Sequence, residues 1–222
     1  MAIQDIDLKY KGGALNTSRN VSLGGTLSVT GAVSLASTLT VSGPVIGSSI
    51  PGSTAPADLG FVSWSYDPVL TSSTTTTVVN TIYLTAVYVR YAATVTKLWT
   101  VVNAAGTTST AGQNNLGLYD STGTLLASVN VDSLVTSNGP KSGTITATAV
   151  SPGLYWVAQQ YAASVQPGIG RGNAAILSTL TINQTAATYR FATNGSGTSL
   201  PASIAPSNNS TTGSAALWAG IS

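Results

Sequence analysis

From Val21 to Val41 the chain alternates strictly. Val21, Leu23, Leu27, Val29, Val33, Leu35, Leu39 and Val41 fall on odd-numbered positions, while the even-numbered ones are Ser, Thr, Gly or Ala. A period of two places all of these Val and Leu residues on one face of an extended chain. Written in sixes from Val21, the segment reads VSLGGT, LSVTGA, VSLAST, LTVSGP, so it is also a repeat. Every sixth position on the apolar face is small: Gly25, Gly31, Ser37 and Gly43. That spacing predicts a bend or a close backbone approach after each short strand. One chain cannot enclose this face by itself, because repeat architectures bury a core only between stacked units. Three copies about a threefold axis would bury the Val/Leu rows in a slender β-helical or β-prism shaft and protect the strand edges as well. The other use of such a pattern is a single alternating hairpin belonging to the domain that follows.

The pattern changes on both sides of the repeat. Residues 44–57 carry Pro44, Pro51 and Pro56 among Gly and Ser, the composition of a semi-rigid linker. Residues 58–222 contain strand-like runs at 61–66, 81–91, 95–103, 115–119, 125–131, 144–150, 154–161, 188–193 and 215–221, separated by turn residues. Many short strands with regular turns predict an all-β domain, a β-sandwich of jelly-roll type. The clearest turns are Ser151–Gly153 and Asp120–Gly123, where Pro presets one dihedral and Gly or Asp tolerates unusual ones. Gly168–Asn173 reads as a flexible loop and Ala174–Leu180 as a possible short helix.

Composition sharpens this division. Of 222 residues 43% are hydrophobic and only 6% charged, with 8 Lys+Arg against 6 Asp, and Glu, His and Cys are absent. There is thus no imidazole to act as a base near neutral pH, no thiolate nucleophile or ligand and no disulfide framework. The charges that exist are unevenly placed. Asp5, Asp7, Lys9, Lys11 and Arg19 lie in residues 1–20, whereas 21–57 hold none, so a boundary near residue 20 is expected. Eight scattered cations make no nucleic-acid footprint, which needs Lys and Arg clustered on one face. No apolar stretch approaches the roughly 18 residues of a spanning helix, so membrane insertion is not expected. The first residues lack the basic-then-apolar profile of a secretory signal, which points to synthesis in a cytoplasm.

Candidate chemistry is sparse. A glycosidase built on Asp alone would need a carboxylate pair about 5–10 Å apart, and Asp58 with Asp67 or Asp120 with Asp132 are the conceivable pairs. Asp67 precedes Pro68 and Asp120 opens a turn, however, places where the carboxylate usually caps its own backbone. Only an all-oxygen calcium site could be built without His, Cys or Glu, and no loop of the required D-x-D-x-D-G type occurs. Gly168, Gly170 and Gly172 lack the preceding strand and following acid of a dinucleotide fold. No cofactor is expected. Asn-x-Ser/Thr matches at Asn16, Asn20, Asn183, Asn194, Asn208 and Asn209 are what this much Ser and Thr yields by chance. Aromatic side chains are the remaining signal: Trp64, Tyr66, Tyr83, Tyr88, Tyr91, Trp99, Tyr155, Trp156 and Tyr161 fall in strand-like runs. Neighbours such as Tyr155 and Trp156 must face opposite sides, so some should point outward and could stack a sugar ring. Core and subunit interface are the commoner uses, and the same holds for Gln159 and Gln160.

A short charged head, a Gly-Thr-Leu-Ser-Val-Thr-Gly-type repeat and a Ser/Thr-rich β domain together resemble the trimeric fibre and spike proteins of tailed bacteriophages. The last zone is similar to a knob domain of actinobacterial phages through Ala111–Asp120, Ser151–Tyr155, Tyr189–Thr193, Leu200–Ile204 and Leu217–Ser222. The resemblance implies a homotrimer in the virion, its N-terminus docked on capsid or tail proteins and its knob outward. Ile3, Ile6, Leu8 and Tyr10 are the apolar residues of the head expected to make that contact. It implies no catalytic residues. Two roles follow: a capsid-surface fibre or decoration, slightly favoured because the chain is short, and a tail-fibre adhesin that recognises a host cell-surface glycan. Replacing Leu27, Val33 and Leu39 together by Asp should convert a trimer to monomers in light scattering, and an intact trimer would show that these side chains are not buried.

Overall fold

The computed structural model of the protein describes residues 54–173 and 182–222, all within one compact unit, Gly43–Ser222. The expected shaft, the anchor and the short helix at 174–180 lie outside the described residues. Thirteen strands and four short 3-10 turns, with no α-helix, make the described residues all-β. One sheet contains β1 (Ser63–Trp64), β2 (Ser73–Thr76), β4 (Ala93–Ala104), β8 (Gly139–Val150), β11 (Gly168–Arg171) and β13 (Gly220–Ile221). The other runs in the order β12 (Phe191–Ser196), β3 (Thr81–Val89), β9 (Gly153–Gln160), β6 (Asn115–Asp120), β7 (Leu125–Asn130). β5 (Thr107–Ser109) and β10 (Ala163–Val165) form a separate two-stranded ribbon. All pairings are antiparallel.

β4 is the spine of the first sheet. β8 pairs with it from Ala93↔Val150 to Val102↔Gly139. Its other edge is shared, with β11 beside Ala104 and Val102 and β13 beside Trp99 and Leu98. β2 and β1 then extend β11 and β13 respectively. Pro140 is tolerated in β8 because β8 is an edge strand, where a missing N–H costs no ladder bond.

The two sheets pack face to face. Tyr83 and Val87 of β3, Leu116 and Leu118 of β6 and Val157 of β9 meet Val95, Leu98 and Val102 of β4, Ile169 of β11 and Ile221 of β13 in one buried cluster. The five-stranded sheet is also covered outside. Ile82, Leu84, Tyr119, Trp156, Ala158 and Ala192 form a second cluster with Ile204, and Leu200 packs against it. The backbone of 202–204 is stitched to the β6–β7 hairpin by Leu125 N–H to Ala202 C=O and Ile204 N–H to Gly123 C=O. Cover on both sides explains why β3 is buried at almost every position, Thr85 included, where one-sided burial would alternate. Tyr155 and Trp156 do face opposite sides, as expected, yet neither reaches open solvent: they are 9% and 0% exposed.

Two expectations change. Gly168–Asn173 is not a flexible loop: Gly168–Arg171 is a central strand, paired with β2 on one side and β4 on the other. Its glycines are there for close approach, since a Cβ at Gly168 would lie 2.6 Å from Thr74 Cγ2 and one at Gly170 2.6 Å from Thr71 Cγ2. The segment assigned to the linker already contains structure at its end, because a 3-10 turn begins at Pro56.

Residues 217–222 close the first sheet and deliver Leu217, Trp218 and Ile221, each no more than 2% exposed. Losing a buried side chain of this size costs about 2–5 kcal/mol, so losing them together exceeds much of a typical domain stability of about 5–15 kcal/mol. Deleting residues 217–222 should therefore abolish the dispersed methyl and amide spectrum of the folded protein, and a native-like spectrum would refute this.

Candidate functional site

The outer face of the six-stranded sheet carries a groove of about 300 Å³. Its floor is Trp99 and Val101 of β4 with Trp218, and Pro140 of β8 forms one wall. Leu59, Gly60, Phe61, Pro68 and Ser222 complete the lining. Alternation along β4 explains the floor. Val95, Leu98, Thr100 and Val102 turn inward and are buried, so Trp99 and Val101 must turn outward.

Phe61 organises the aromatic side. Its ring centroid lies 5.8 Å from Trp64, 5.4 Å from Trp99 and 5.8 Å from Trp218, the last two edge-to-face, a favoured geometry for such rings. Gly220 makes room for it, since a Cβ there would stand 2.9 Å from Phe61 Cε1. Two 3-10 turns carry part of the lining. Pro56–Leu59 is capped by Asp58, whose Oδ2 accepts from Ala55 N–H at 2.8 Å. Pro68–Leu70 is capped by Asp67, whose Oδ1 accepts from Val69 N–H at 2.9 Å.

The groove offers few free polar groups. Trp99 Nε1 donates to Ser222 Oγ at 2.8 Å, and Trp218 Nε1 donates to the Tyr66 carbonyl at 2.9 Å. Ser222 is itself held by Ser222 N–H to Lys97 C=O and by Thr96 and Lys97 N–H to Ser222 C=O. Lys97 Nζ lies 6.0 Å from the Trp99 ring centroid. Leu59 of the lining is 54% exposed, and Val69 and Leu70, which follow Pro68 in the chain, are 79% and 58% exposed.

The other expected site residues fall elsewhere. Val21, Leu23, Leu27, Val29, Val33, Leu35, Leu39, Val41, Ile3, Ile6, Leu8 and Tyr10 lie outside the described residues. All four described aspartates bind backbone N–H groups. Besides Asp58 and Asp67, Asp120 Oδ1 accepts from Thr122 N–H, Thr122 Oγ1 and Thr124 N–H. Asp132 accepts from the N–H groups of Gly112 and Asn114 and from Asn114 Nδ2. Partial desolvation works against ionisation of both Asp120 and Asp132, but these hydrogen bonds outweigh it and hold the carboxyls below their ordinary range.

Gln159 and Gln160 are interior. Gln159 Oε1 accepts from Thr100 Oγ1 at 2.8 Å and Tyr161 OH at 2.9 Å, and its Nε2 donates to Trp218 C=O at 3.1 Å. Gln160 Nε2 donates to Gly197 C=O. Of the aromatics singled out, Tyr83, Tyr155, Trp156 and Tyr161 are core, whereas Tyr88 points out beside Arg90. Nothing in the sequence pattern marks Phe61 and Trp218 as site residues, because no spacing links them to Trp99. The signal for Trp218 was its place in Leu217–Ser222.

Among the described residues no three His, Cys, Asp or Glu side chains stand together as metal ligands, and no helix is long and apolar enough to cross a membrane. Comparison of the chain with protein-family models, curated proteins and solved structures yields no match.

Burial raises the phenol pKa of Tyr66 and Tyr119 to about 12 and that of Tyr161 upward. A raised pKa contributes stability that is complete below the unfolded value of about 10 and lost as pH climbs past it. The depressed Asp120 and Asp132 contribute stability that is complete above the ordinary value of 3.8 and lost on acidification below it. With no Glu, His or Cys in the chain, the denaturant midpoint should stay level from about pH 5 to 9 and fall on both sides. A step near pH 6.5 would contradict this account.

Proposed function

We propose that this protein is a non-enzymatic structural component of a phage particle: a homotrimeric fibre or capsid-surface decoration protein. Residues 1–20 dock it on the virion, residues 21–43 trimerise it and the β-sandwich stands outward as the knob. The observation that carries this reading is the uncharged alternating Val/Leu row of 21–41 in the sequence, which calls for partners that identical chains would supply, in the same chain as an all-β unit. The role of the aspartates supports it, because every described carboxylate is spent on backbone N–H groups. So does the use of Gln159, Gln160, Tyr83, Tyr155, Trp156 and Tyr161 inside the fold. The resemblance of the repeat and of Ala111–Asp120 and Leu217–Ser222 to phage fibre and knob sequences supplies the virion as location.

The alternative, a tail-fibre adhesin for a host cell-surface glycan, would use the groove at Trp99 as its stacking platform. Sugar sites need hydrogen-bond donors converging on the hydroxyls beside the ring. Here both indole N–H groups are already donated within the protein, so the geometry favours an apolar occupant over a glycan.

Light scattering of the full chain should give three times the 22.3 kDa chain mass, and a monomer at micromolar concentration would overturn the proposal. A chain lacking residues 1–20 should remain trimeric but fail to join particles. Gold labelling of intact virions should place the protein on the capsid surface; label confined to the tail tip, together with saturable binding of the trimer to host cell walls, would favour the adhesin.

A further inference from the structure

We propose that Asn138 is a site of spontaneous covalent modification, converting to aspartate and isoaspartate through a cyclic imide formed with Gly139. The inference is independent of the trimer reading and of the groove. The sequence contains two Asn-Gly pairs, Asn138–Gly139 and Asn194–Gly195. Glycine after asparagine leaves the following amide nitrogen unshielded, because no Cβ stands beside it. In both places the backbone itself calls for that glycine: φ is +111° at Gly139 and +71° at Gly195, a region that L side chains rarely adopt. The fold therefore sets a reactive dipeptide at two positions, and the surroundings of each asparagine decide which one reacts.

Asn194 is restrained. Its Nδ2 donates to Ala205 C=O at 3.0 Å and to Asn209 Oδ1 at 2.6 Å. The backbone on either side is fixed as well, since Thr193 pairs with Tyr83 and exchanges N–H to C=O bonds with Ser210, while Ser196 pairs with Thr81. Asn138 has none of this. Its side chain is exposed and has no hydrogen-bond partner among the described residues. Gly139, opposite Val102, is the end pair of the β8–β4 ladder, and ladder ends are the first part of a sheet to open. A Cβ at Gly139 would meet no atom within 4 Å, so the space beside its amide is free for ring closure. Gly195 is equally open, which leaves the hold on the asparagine side chain as the difference.

The chemistry needs only water. Gly139 N attacks Asn138 Cγ; a C–N bond forms, the bond from Cγ to Nδ2 breaks, and Nδ2 leaves as ammonia with the Gly139 amide proton. Water then opens the imide at either carbonyl. Breaking the N–Cγ bond leaves an aspartate on the ordinary main chain, whereas breaking the bond from N to the main-chain carbonyl leaves isoaspartate, with the main chain rerouted through Cβ. In both cases an amide and a water become a carboxylate and an ammonium ion. The formal net charge of the chain falls from +2 to +1, a large change for a sequence with 6 acidic residues. Pro140, the residue after Gly139, lines the groove, so the rerouted main chain lies close to that surface.

To test this, the full-length protein is incubated at mildly alkaline pH, folded in buffer and in parallel unfolded in guanidinium chloride. Peptide mass maps follow Asn138 and Asn194 separately through the gain of about 1 Da, and isoaspartate is counted by enzymatic methylation of its carboxylate. Unfolded, the two sites should convert at similar rates. Folded, Asn138 should convert on the order of tenfold or more faster than Asn194, whose two hydrogen bonds must open first. Isoelectric focusing should show an acidic band that Asn138→Gln removes and Asn194→Gln leaves. A smaller ratio in the folded protein overturns the proposal, as does earlier conversion of Asn194 or an acidic band that survives Asn138→Gln.

Discussion

The described unit depends on where residues 217–222 go. They enter the six-stranded sheet between β1 and β4, and Ile221 and Leu217 fill the space between the sheets. Their carbonyls also terminate interior polar groups, with Thr85 Oγ1 donating to Leu217 C=O and Gln159 Nε2 to Trp218 C=O. On the outer side the same residues build the groove, since Trp218 forms its floor and Ser222 holds the Trp99 indole. Core, inter-sheet network and candidate site thus share one short segment. The same segment pairs with β4, which lies more than a hundred residues earlier, so the fold requires a contact of very high sequence separation, a feature associated with slow folding.

A chain with so little charge satisfies its interior with hydroxyl and amide groups. Thr100, Gln159 and Tyr161 bond one another across the space between the sheets, and Asn114 binds Thr110 C=O, Ala162 C=O and Ala162 N–H. Neutral groups are less costly to bury than ions when each finds a partner. The described Asp residues stand at turns and bind backbone N–H groups, and at Asp120 and Asp132 these bonds favour the ionised carboxylate. This division fits the proposed role: a stable presenting surface, with recognition left to apolar and aromatic faces.

Most of the strands were legible because they alternate or run apolar. β3, β4, β6, β7 and β9 lie within a few residues of the runs expected for them. Four strands were not foreseen, each for a reason. β2 is Ser-Thr-Thr-Thr, with no apolar residue to mark a face, and β5 and β10 are three-residue pieces of a ribbon. β11 hides behind glycines that read as loop residues and in fact permit tight packing against Thr71, Thr74 and Ala104. The aspartate caps were legible from Asp67-Pro68 and Asp120–Gly123 because those interactions are local.

The sequence by itself determined what depends on neighbouring residues: the all-β class, the turns, the division into a charged head, an uncharged repeat and a strand-rich zone, and the scarcity of groups for chemistry. Only the tertiary structure decided which faces are open. Tyr155 and Trp156 alternate as any strand does, yet both are buried, because residues 200–204 return to cover a face that one strand cannot know is covered. Phe61, Trp99 and Trp218 come from three distant segments, and they meet because β13 pairs with both β1 and β4. Alternation states that two sides differ; what lies against each side is set by contacts far along the chain.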